Sequence, residues 1–166
     1  VLCGRGWAIS DEAAASGIAS ARWPGRFEVV GTSPLTIVDG GHNPQGAEAL
    51  AASLADLLGG EGCASVDFAL GVLADKDYRA MVRAVMPWAR SFSVYAPRSP
   101  RALAAEELAA CVRKVLGEEG RADDVPVRVC SAPADALSAA RAAAGPEGCA
   151  VAFGTLYAIA DLMGAL

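Results

Sequence analysis

The chain has a single histidine, 6% aromatic residues and only 20% charged residues, and each shortage closes off a class of function. One histidine, His42, excludes a His–His metal site. Lys and Arg number 14 against 19 Asp and Glu, for a formal net charge of −5. No run of basic residues exists to neutralise phosphates along a groove, so no nucleic acid partner is expected. No stretch approaches about 18 consecutive apolar residues, and no leader of the charged, apolar, small-residue kind opens the chain. Membrane spanning and export are therefore not expected, and the expected compartment is the cytoplasm. The five cysteines (Cys3, Cys63, Cys111, Cys130, Cys149) are odd in number and never form a CxxC pair. They make neither a disulfide framework nor a zinc site, and are expected to be reduced and mostly packed. A GxxxxGK[ST] phosphate loop and internal repeats are also absent.

What is present is a 166-residue chain, 54% hydrophobic, with a mean hydropathy of +0.34. That is enough for one compact domain and excludes disorder, a fibre and a coiled coil. Alanine supplies roughly a fifth of the sequence, which suits close helix packing. The chain opens on Val1 rather than Met, and a piece of a longer protein is expected.

Ser10 is a suitable N-cap for a short helix ending at Gly17. After Trp23-Pro24-Gly25, residues 26–31 and 35–39 read as two short β runs around a Thr32-Ser33-Pro34 turn. Strands and helices then alternate. Helices are expected over 44–58, 78–89, 133–144 and at the end of the chain through Leu156, Ile159, Leu162, Met163 and Leu166. Leu108, Cys111, Val112, Val115 and Leu116 set one further helical face. Strands are expected over 66–73, 91–96, 125–130 and 149–153. This alternation calls for a three-layer α/β fold, with chemistry in the loops after the strands.

Four such loops carry candidates. In Asp39-Gly40-Gly41-His42-Asn43-Pro44, Asn43 caps a helix that Pro44 begins, and two glycines allow close backbone approach to a ligand. His42 there is a phosphate contact, a proton donor or a structural residue. In Asp75-Lys76-Asp77, Lys76 can hold an anion, or the three residues form a solvated cap in which Asp75 opens the helix. Thr155, in Gly154-Thr155-Leu156-Tyr157, caps a helix or offers its hydroxyl and amide to a carboxylate. The arginines of Ala96-Pro97-Arg98-Ser99-Pro100-Arg101 either fork a carboxylate or solvate a loop.

These elements in this order, beginning with Trp23-Pro24-Gly25-Arg26-Phe27-Glu28, resemble the C-terminal domain of the folylpolyglutamate synthase/dihydrofolate synthase family, in the Mur ligase superfamily. The resemblance covers nearly the whole chain, and the WPGR and DGxHNP elements are its most specific part. Gly41 stands where the family usually has Ala, and Thr155 where it usually has Ser. The resemblance implies a Rossmann-like six-stranded sheet, five strands parallel and one antiparallel at the edge, with helices on both faces. The short turn at 32–34 independently requires the antiparallel pair. Residues 1–22 would then be an interdomain connection with a short helix, and 23–166 the Mur ligase-type C-terminal domain.

The same resemblance implies an ATP-dependent ligase: a folate or dihydropteroate carboxylate is phosphorylated to an acyl phosphate, and the amine of L-glutamate attacks it to form an amide. The phosphate loop and the Mg2+ ligands would lie mainly in an N-terminal ATPase domain outside this chain. By that carry-over Arg26, Asp39 and His42 act catalytically and, with Asn43, bind nucleotide. Thr155, Tyr157, Arg101 and Lys76 face the amino-acid substrate, with no metal ligand among them. A monomer, inactive without its ATPase domain, is expected. Two other readings stand beside this one: another Mur-type amide ligase, which the WPGR element disfavours, and a non-catalytic Rossmann-like module that binds a nucleotide or a protein.

Overall fold

The computed structural model describes residues 3–21, 23–59 and 66–164. Helix α1 (Asp11–Ser20) starts at Ser10, whose Oγ accepts the Ala13 N–H at 3.1 Å. It runs through Gly17 rather than stopping there. An internal glycine costs a helix only about 1 kcal/mol relative to alanine, and the sequence around it is alanine-rich. None of the α1 residues is buried.

Strands β1 (Glu28–Thr32) and β2 (Leu35–Val38) form an antiparallel hairpin in which Val29 faces Ile37. Arg26 and Phe27, expected in β1, belong to the turn before it. Helix α2 (Pro44–Leu58) has the bounds expected from Asn43, Pro44 and Gly59, and buries Ala47, Leu50 and Leu54. Gly59 closes it with φ 84°, a left-handed conformation that glycine adopts without penalty. Strand β3 (Val66–Leu70) is three residues shorter than expected, because the chain turns after Gly71 and Leu73 pairs with Ala102 of another loop.

Helix α3 (Tyr78–Val85) ends before Pro87, which converts Met86–Trp88 into a 3-10 turn, and Ala89 already belongs to β4 (Ala89–Val94). Helix α4 (Ala105–Glu118) precedes β5 (Val127–Val129), only half the length expected from the sequence. Helix α5 (Pro133–Ala144) and strand β6 (Cys149–Phe153) fall on their expected bounds. The last expected helix divides into a 3-10 turn (Leu156–Ala158) and α6 (Ile159–Met163). Of its expected inward residues, Leu162 is buried while Leu156 and Met163 are exposed, and Leu166 lies outside the described residues.

The sheet runs β1-β2-β6-β3-β4-β5, with β2 to β5 in that order all parallel and β1 antiparallel at the edge. One face is covered by α2, α3 and α4 over a core of Phe68, Phe92 and Phe153. The Phe68 ring stacks on Phe92 at 5.4 Å and meets Phe153 edge-on at 5.6 Å. The other face is covered by α5 and α6, and seven of the eleven buried residues there are alanines. Small side chains on both helix and sheet let α5 approach closely, which explains the alanine excess. Cys149 is buried, Cys111 and Cys130 are half-buried and Cys3 is exposed. Cys63 lies outside the described residues.

Candidate functional site

The chain visits β3, β4 and β5 in turn before α5 carries it back across the opposite face to insert β6 between β2 and β3. The loops after β2 and β3 therefore leave toward one face and the loop after β6 toward the other. Such a switch point opens a crevice at the carboxyl ends of parallel strands.

The loop after β2 is built around Asp39. Its Oδ2 accepts the Phe27 N–H at 2.8 Å and its Oδ1 accepts the Gly41 N–H at 2.6 Å. The neighbouring Gly40 N–H donates to the Gly25 carbonyl at 2.6 Å. Asp39 thus ties the turn ahead of β1 to the loop after β2, with both oxygens occupied inside the chain. The two glycines serve the same packing: a Cβ on Gly40 would strike the Leu156 side chain, and one on Gly41 would sit 2.7 Å from Asp39 Oδ1 and 3.3 Å from the Gly46 backbone. Both glycines are thus required by contacts within the fold itself.

Asn43 caps α2 through its Oδ1, which accepts the Gly46 N–H at 2.8 Å. His42 Nδ1 lies 3.0 Å from the Gly40 carbonyl oxygen, which can only accept, so Nδ1 carries a hydrogen. Nε2 is then left as the group His42 presents outward, an acceptor when the ring is neutral and a donor when it is protonated.

His42 lines a cleft of about 140 Å³ together with Lys76, Arg101, Thr155, Tyr157 and Leu73. Five of the residues proposed from sequence, drawn from four loops, therefore meet in one place. Thr155 is 2% exposed, and its Oγ1 accepts the Tyr157 N–H at 3.2 Å. That bond uses an oxygen lone pair, and the hydroxyl hydrogen has no partner among the described residues. Gly154, at φ 114°, makes the bend that presents Thr155, and a Cβ there would collide with the Gly71 carbonyl oxygen.

The cations of this cleft are held by a residue whose role the sequence did not reveal. Asp75 Oδ2 accepts from Arg101 Nη2 at 2.5 Å and lies 3.3 Å from Lys76 Nζ. Arg101 beside it holds the Asp75 carboxyl below the usual carboxylate range. The pair continues a ladder between two loops, in which Ala74 N–H donates to the Arg101 carbonyl at 2.9 Å and Leu103 N–H to the Val72 carbonyl at 3.0 Å. Asp75 does not cap the following helix. Asp77 does, accepting the Ala80 N–H at 3.0 Å.

Arg26 stands apart from this group. It lines a separate cleft of about 430 Å³ with Trp23, Pro24, Phe27 and Glu28, and its guanidinium makes no ion pair among the described residues. The contacts of Asp39 with Phe27 and of Gly40 with Gly25 join the two clefts at a common hinge of backbone. Arg98, the other arginine of its loop, is 80% exposed and pairs with Asp161 at 3.5 Å. Among the described residues no three His, Cys, Asp or Glu side chains are grouped as metal donors, and no helix is long and apolar enough to cross a membrane.

Residues 25–156 match the family model described as Mur ligase, glutamate ligase domain. A probable bifunctional folylpolyglutamate synthase/dihydropteroate synthase of Haloferax volcanii is 34% identical over 153 residues, which cover 92% of this chain and 17% of that protein. Escherichia coli FolC, solved in complex with DHPP and ADP, superposes with a TM-score of 0.80 at 30% identity, over 98% of this chain and 36% of that one. The bifunctional folylpolyglutamate synthase/dihydrofolate synthase of Yersinia pestis, solved with AMPPNP and a Mn ion, gives a TM-score of 0.79 at 28% identity, over 99% and 36% respectively. The chain thus spans about a sixth of the first relative and just over a third of the two solved structures.

Proposed function

The chain belongs to the Mur ligase family of glutamate ligase domains, and from that premise we propose that it is the closing domain of an ATP-dependent folate:L-glutamate ligase. The observation that carries the reading is the convergence of His42, Lys76, Arg101, Thr155 and Tyr157 on one small cleft at the carboxyl ends of the strands. Two cations and a buried hydroxyl with an uncommitted hydrogen suit the carboxylates of an amino acid. In this reading the cleft takes the incoming glutamate, and Arg26, which makes no ion pair among the described residues, meets a nucleotide phosphate when the domains close. His42, whose Nδ1 is engaged by the Gly40 carbonyl, contacts the phosphoryl group through Nε2. Asp39, with both oxygens engaged, and Asn43, engaged as a cap, hold the nucleotide loop in shape.

The reaction so assigned has two steps. A folate or dihydropteroate carboxylate oxygen attacks the γ-phosphorus of ATP, giving an acyl phosphate and ADP. The uncharged amine of glutamate then attacks the acyl carbon, forming the amide and expelling phosphate. Closure of this domain keeps water from the acyl phosphate and brings charge stabilisation to the transferring group. The ligands of the divalent ion, Mg2+, are assigned mainly to the ATPase domain, in keeping with the lack of a cluster of three His, Cys, Asp or Glu side chains among the described residues. The compartment assigned with this reaction is the cytoplasm, and the ligase is assigned as a monomer.

The test uses the complete ligase. Arg26→Ala should lower turnover far more than it changes the glutamate KM, because a charge delivered by closure is felt mostly in the transition state. Turnover at the wild-type level, or a rise confined to the glutamate KM, removes Arg26 from the nucleotide site. The 166-residue chain by itself should release no ADP in the presence of ATP, folate and glutamate. Glutamate-dependent ADP release by the purified chain overturns the division of labour between domains.

A further inference from the structure

Tyr95 directly follows β4 and opens the loop that carries Arg101. It is wholly buried, yet its hydroxyl has no hydrogen-bond partner among the described residues. A buried hydroxyl without a partner costs stability that a phenylalanine would not, so the ring and not the hydroxyl has to account for the residue. That ring packs in the core under α5 and α6 with Ala69, Ala136, Ala158 and Leu162. It also closes over Gly71, the first residue after β3, where a Cβ would sit 2.6 Å from Tyr95 Cζ and 2.7 Å from Cδ2. Gly71 in turn donates its N–H to the Phe153 carbonyl at 3.3 Å, and its carbonyl oxygen is the atom that a Cβ on Gly154 would strike. The Tyr95 N–H donates to the Leu70 carbonyl at 3.0 Å, which ties the ring's own backbone to the same strand end. Tyr95, Gly71 and Gly154 thus form a stack in which neither glycine has room for a methyl group. The stack joins the roots of three loops, those that carry Arg101, Lys76 and Thr155 to the smaller cleft.

We infer that Tyr95 is a positioning residue of that cleft: its ring, acting through Gly71 and Gly154, sets where Thr155 stands relative to Lys76 and Arg101. The effect on glutamate rests on the function proposed above, whereas the placement of Thr155 can be read without it. A close-packed interior passes a displacement on instead of absorbing it. A misplacement of about 1 Å at a site can cost about a hundred-fold in rate, so a residue that touches no substrate still governs its use. Burial holds the phenol far above its ordinary range, and it stays neutral throughout.

Amide hydrogen exchange on the 166-residue chain follows the N–H groups of Gly71 and Tyr157, which donate to the Phe153 carbonyl and to Thr155 Oγ1. The N–H groups of Phe27 and Gly41, held by Asp39, serve as the control pair. Tyr95→Val should speed exchange at the first pair about ten-fold more than at the control pair, while Tyr95→Phe, which keeps the ring, should leave both as in wild type. Gly71→Ala drives a methyl group into the ring and should act like Tyr95→Val. The double variant, in which that methyl group enters the space the ring has left, should fall closer to wild type than either single change. Equal acceleration at the two pairs, or a phenylalanine effect as large as that of valine, overturns the positioning role. In the complete ligase Tyr95→Val should raise the glutamate KM about five- to ten-fold with the ATP KM within about two-fold of wild type, and Tyr95→Phe should restore it. An unaltered glutamate KM, or an equal rise in both constants, overturns the inference, and Gly71→Ala gives the same readings if Tyr95→Val does not fold. A wild-type ligase that releases no ADP in response to glutamate sinks the proposed function instead, and leaves the exchange result to decide the placement of Thr155.

Discussion

The carboxylate of Asp39 holds the backbone N–H of Phe27 at 2.8 Å across twelve residues of sequence, and Phe27 is the one non-glycine among the described residues with positive φ, at 43°. A left-handed conformation costs an L residue roughly 1–2 kcal/mol and persists only where surrounding contacts impose it. Asp39 is that imposition. It fixes the turn that carries Arg26 onto the loop that carries His42.

Asp39→Ala removes the acceptor for two backbone donors, the N–H groups of Phe27 and Gly41. Hydrogen bonds to a charged group are worth about 1.5–3 kcal/mol each, so the substitution should lower unfolding free energy by about 3 kcal/mol. Asp39→Asn keeps one acceptor but turns an NH2 group toward the other donor, and should lose about half as much or somewhat more. Urea denaturation reads both. A loss under about 0.5 kcal/mol in the alanine variant would falsify the anchoring role.

Gly154 and Gly59 both have positive φ, 114° and 84°, yet they should respond differently to alanine. At Gly59 a Cβ meets nothing within 4 Å, leaving only the backbone penalty of about 1 kcal/mol. At Gly154 it collides with the Gly71 carbonyl oxygen and lies 2.9 Å from Leu70 Cδ1, adding about 1–3 kcal/mol of overpacking. Thermal melts of the two variants should therefore rank Gly154→Ala well below Gly59→Ala. Equal melting temperatures would show that the packing of the Gly154 bend against the end of β3 is looser than described.

Much of this fold is legible in sequence because local signals and burial agree. Asn43, Pro44 and Gly59 bound α2 by capping chemistry alone, and the unbroken apolar run of β6 reflects burial on both faces. Where signals compete, the sequence is ambiguous. Asp75 and Asp77 are both good caps two residues apart, and only the position of the first helical turn decides for Asp77. The site is legible as residue types but not as contacts. Asp75 and Arg101 are 26 residues apart, and nothing local indicates that an antiparallel bridge between Leu73 and Ala102 brings them together. Gly40 and Gly41 are visible in sequence as residues that allow close approach, yet the neighbours they approach, Leu156 and Gly46, lie elsewhere in the chain or across a helical turn.

Glu118 ties α4 to α3 through Arg79 and Arg83, and Arg79 beside it holds its carboxyl below the usual carboxylate range. A depressed folded-state pKa means that the unfolded chain takes up this proton first as pH falls. The contribution is thus fully present above the ordinary glutamate pKa of about 4.3 and is lost as pH drops through the folded value. Wild-type melting temperature should decline more steeply than that of Glu118→Gln below about pH 4.5, the two curves converging in acid. Parallel curves over that range would mean that the three-residue cluster contributes nothing to folding.

Thr155 separates a structural from a substrate role most sharply. Its Oγ1 already accepts the Tyr157 N–H at 3.2 Å, so it is a cap of the 3-10 turn that follows β6, and alanine there should cost about 1 kcal/mol of stability. The same hydroxyl retains its hydrogen, is 2% exposed, and lines the cleft with Lys76, Arg101 and His42. A donor so placed is available to a glutamate carboxylate, and its loss should weaken glutamate use by about 1–2 kcal/mol, a five- to thirty-fold rise in KM, with little change for ATP. Both effects are expected together in Thr155→Ala under the proposed glutamate role, because the cap uses one lone pair and leaves the hydrogen free to donate. Thr155→Ser keeps both and should restore KM and melting temperature alike. Thr155→Val keeps the shape and removes only the hydroxyl, so it tests whether the KM effect follows the hydrogen bond rather than the volume. A valine variant with wild-type glutamate KM and a lowered melting temperature would leave Thr155 as a cap alone, and the carboxylate would then have to be held by Lys76 and Arg101 without it.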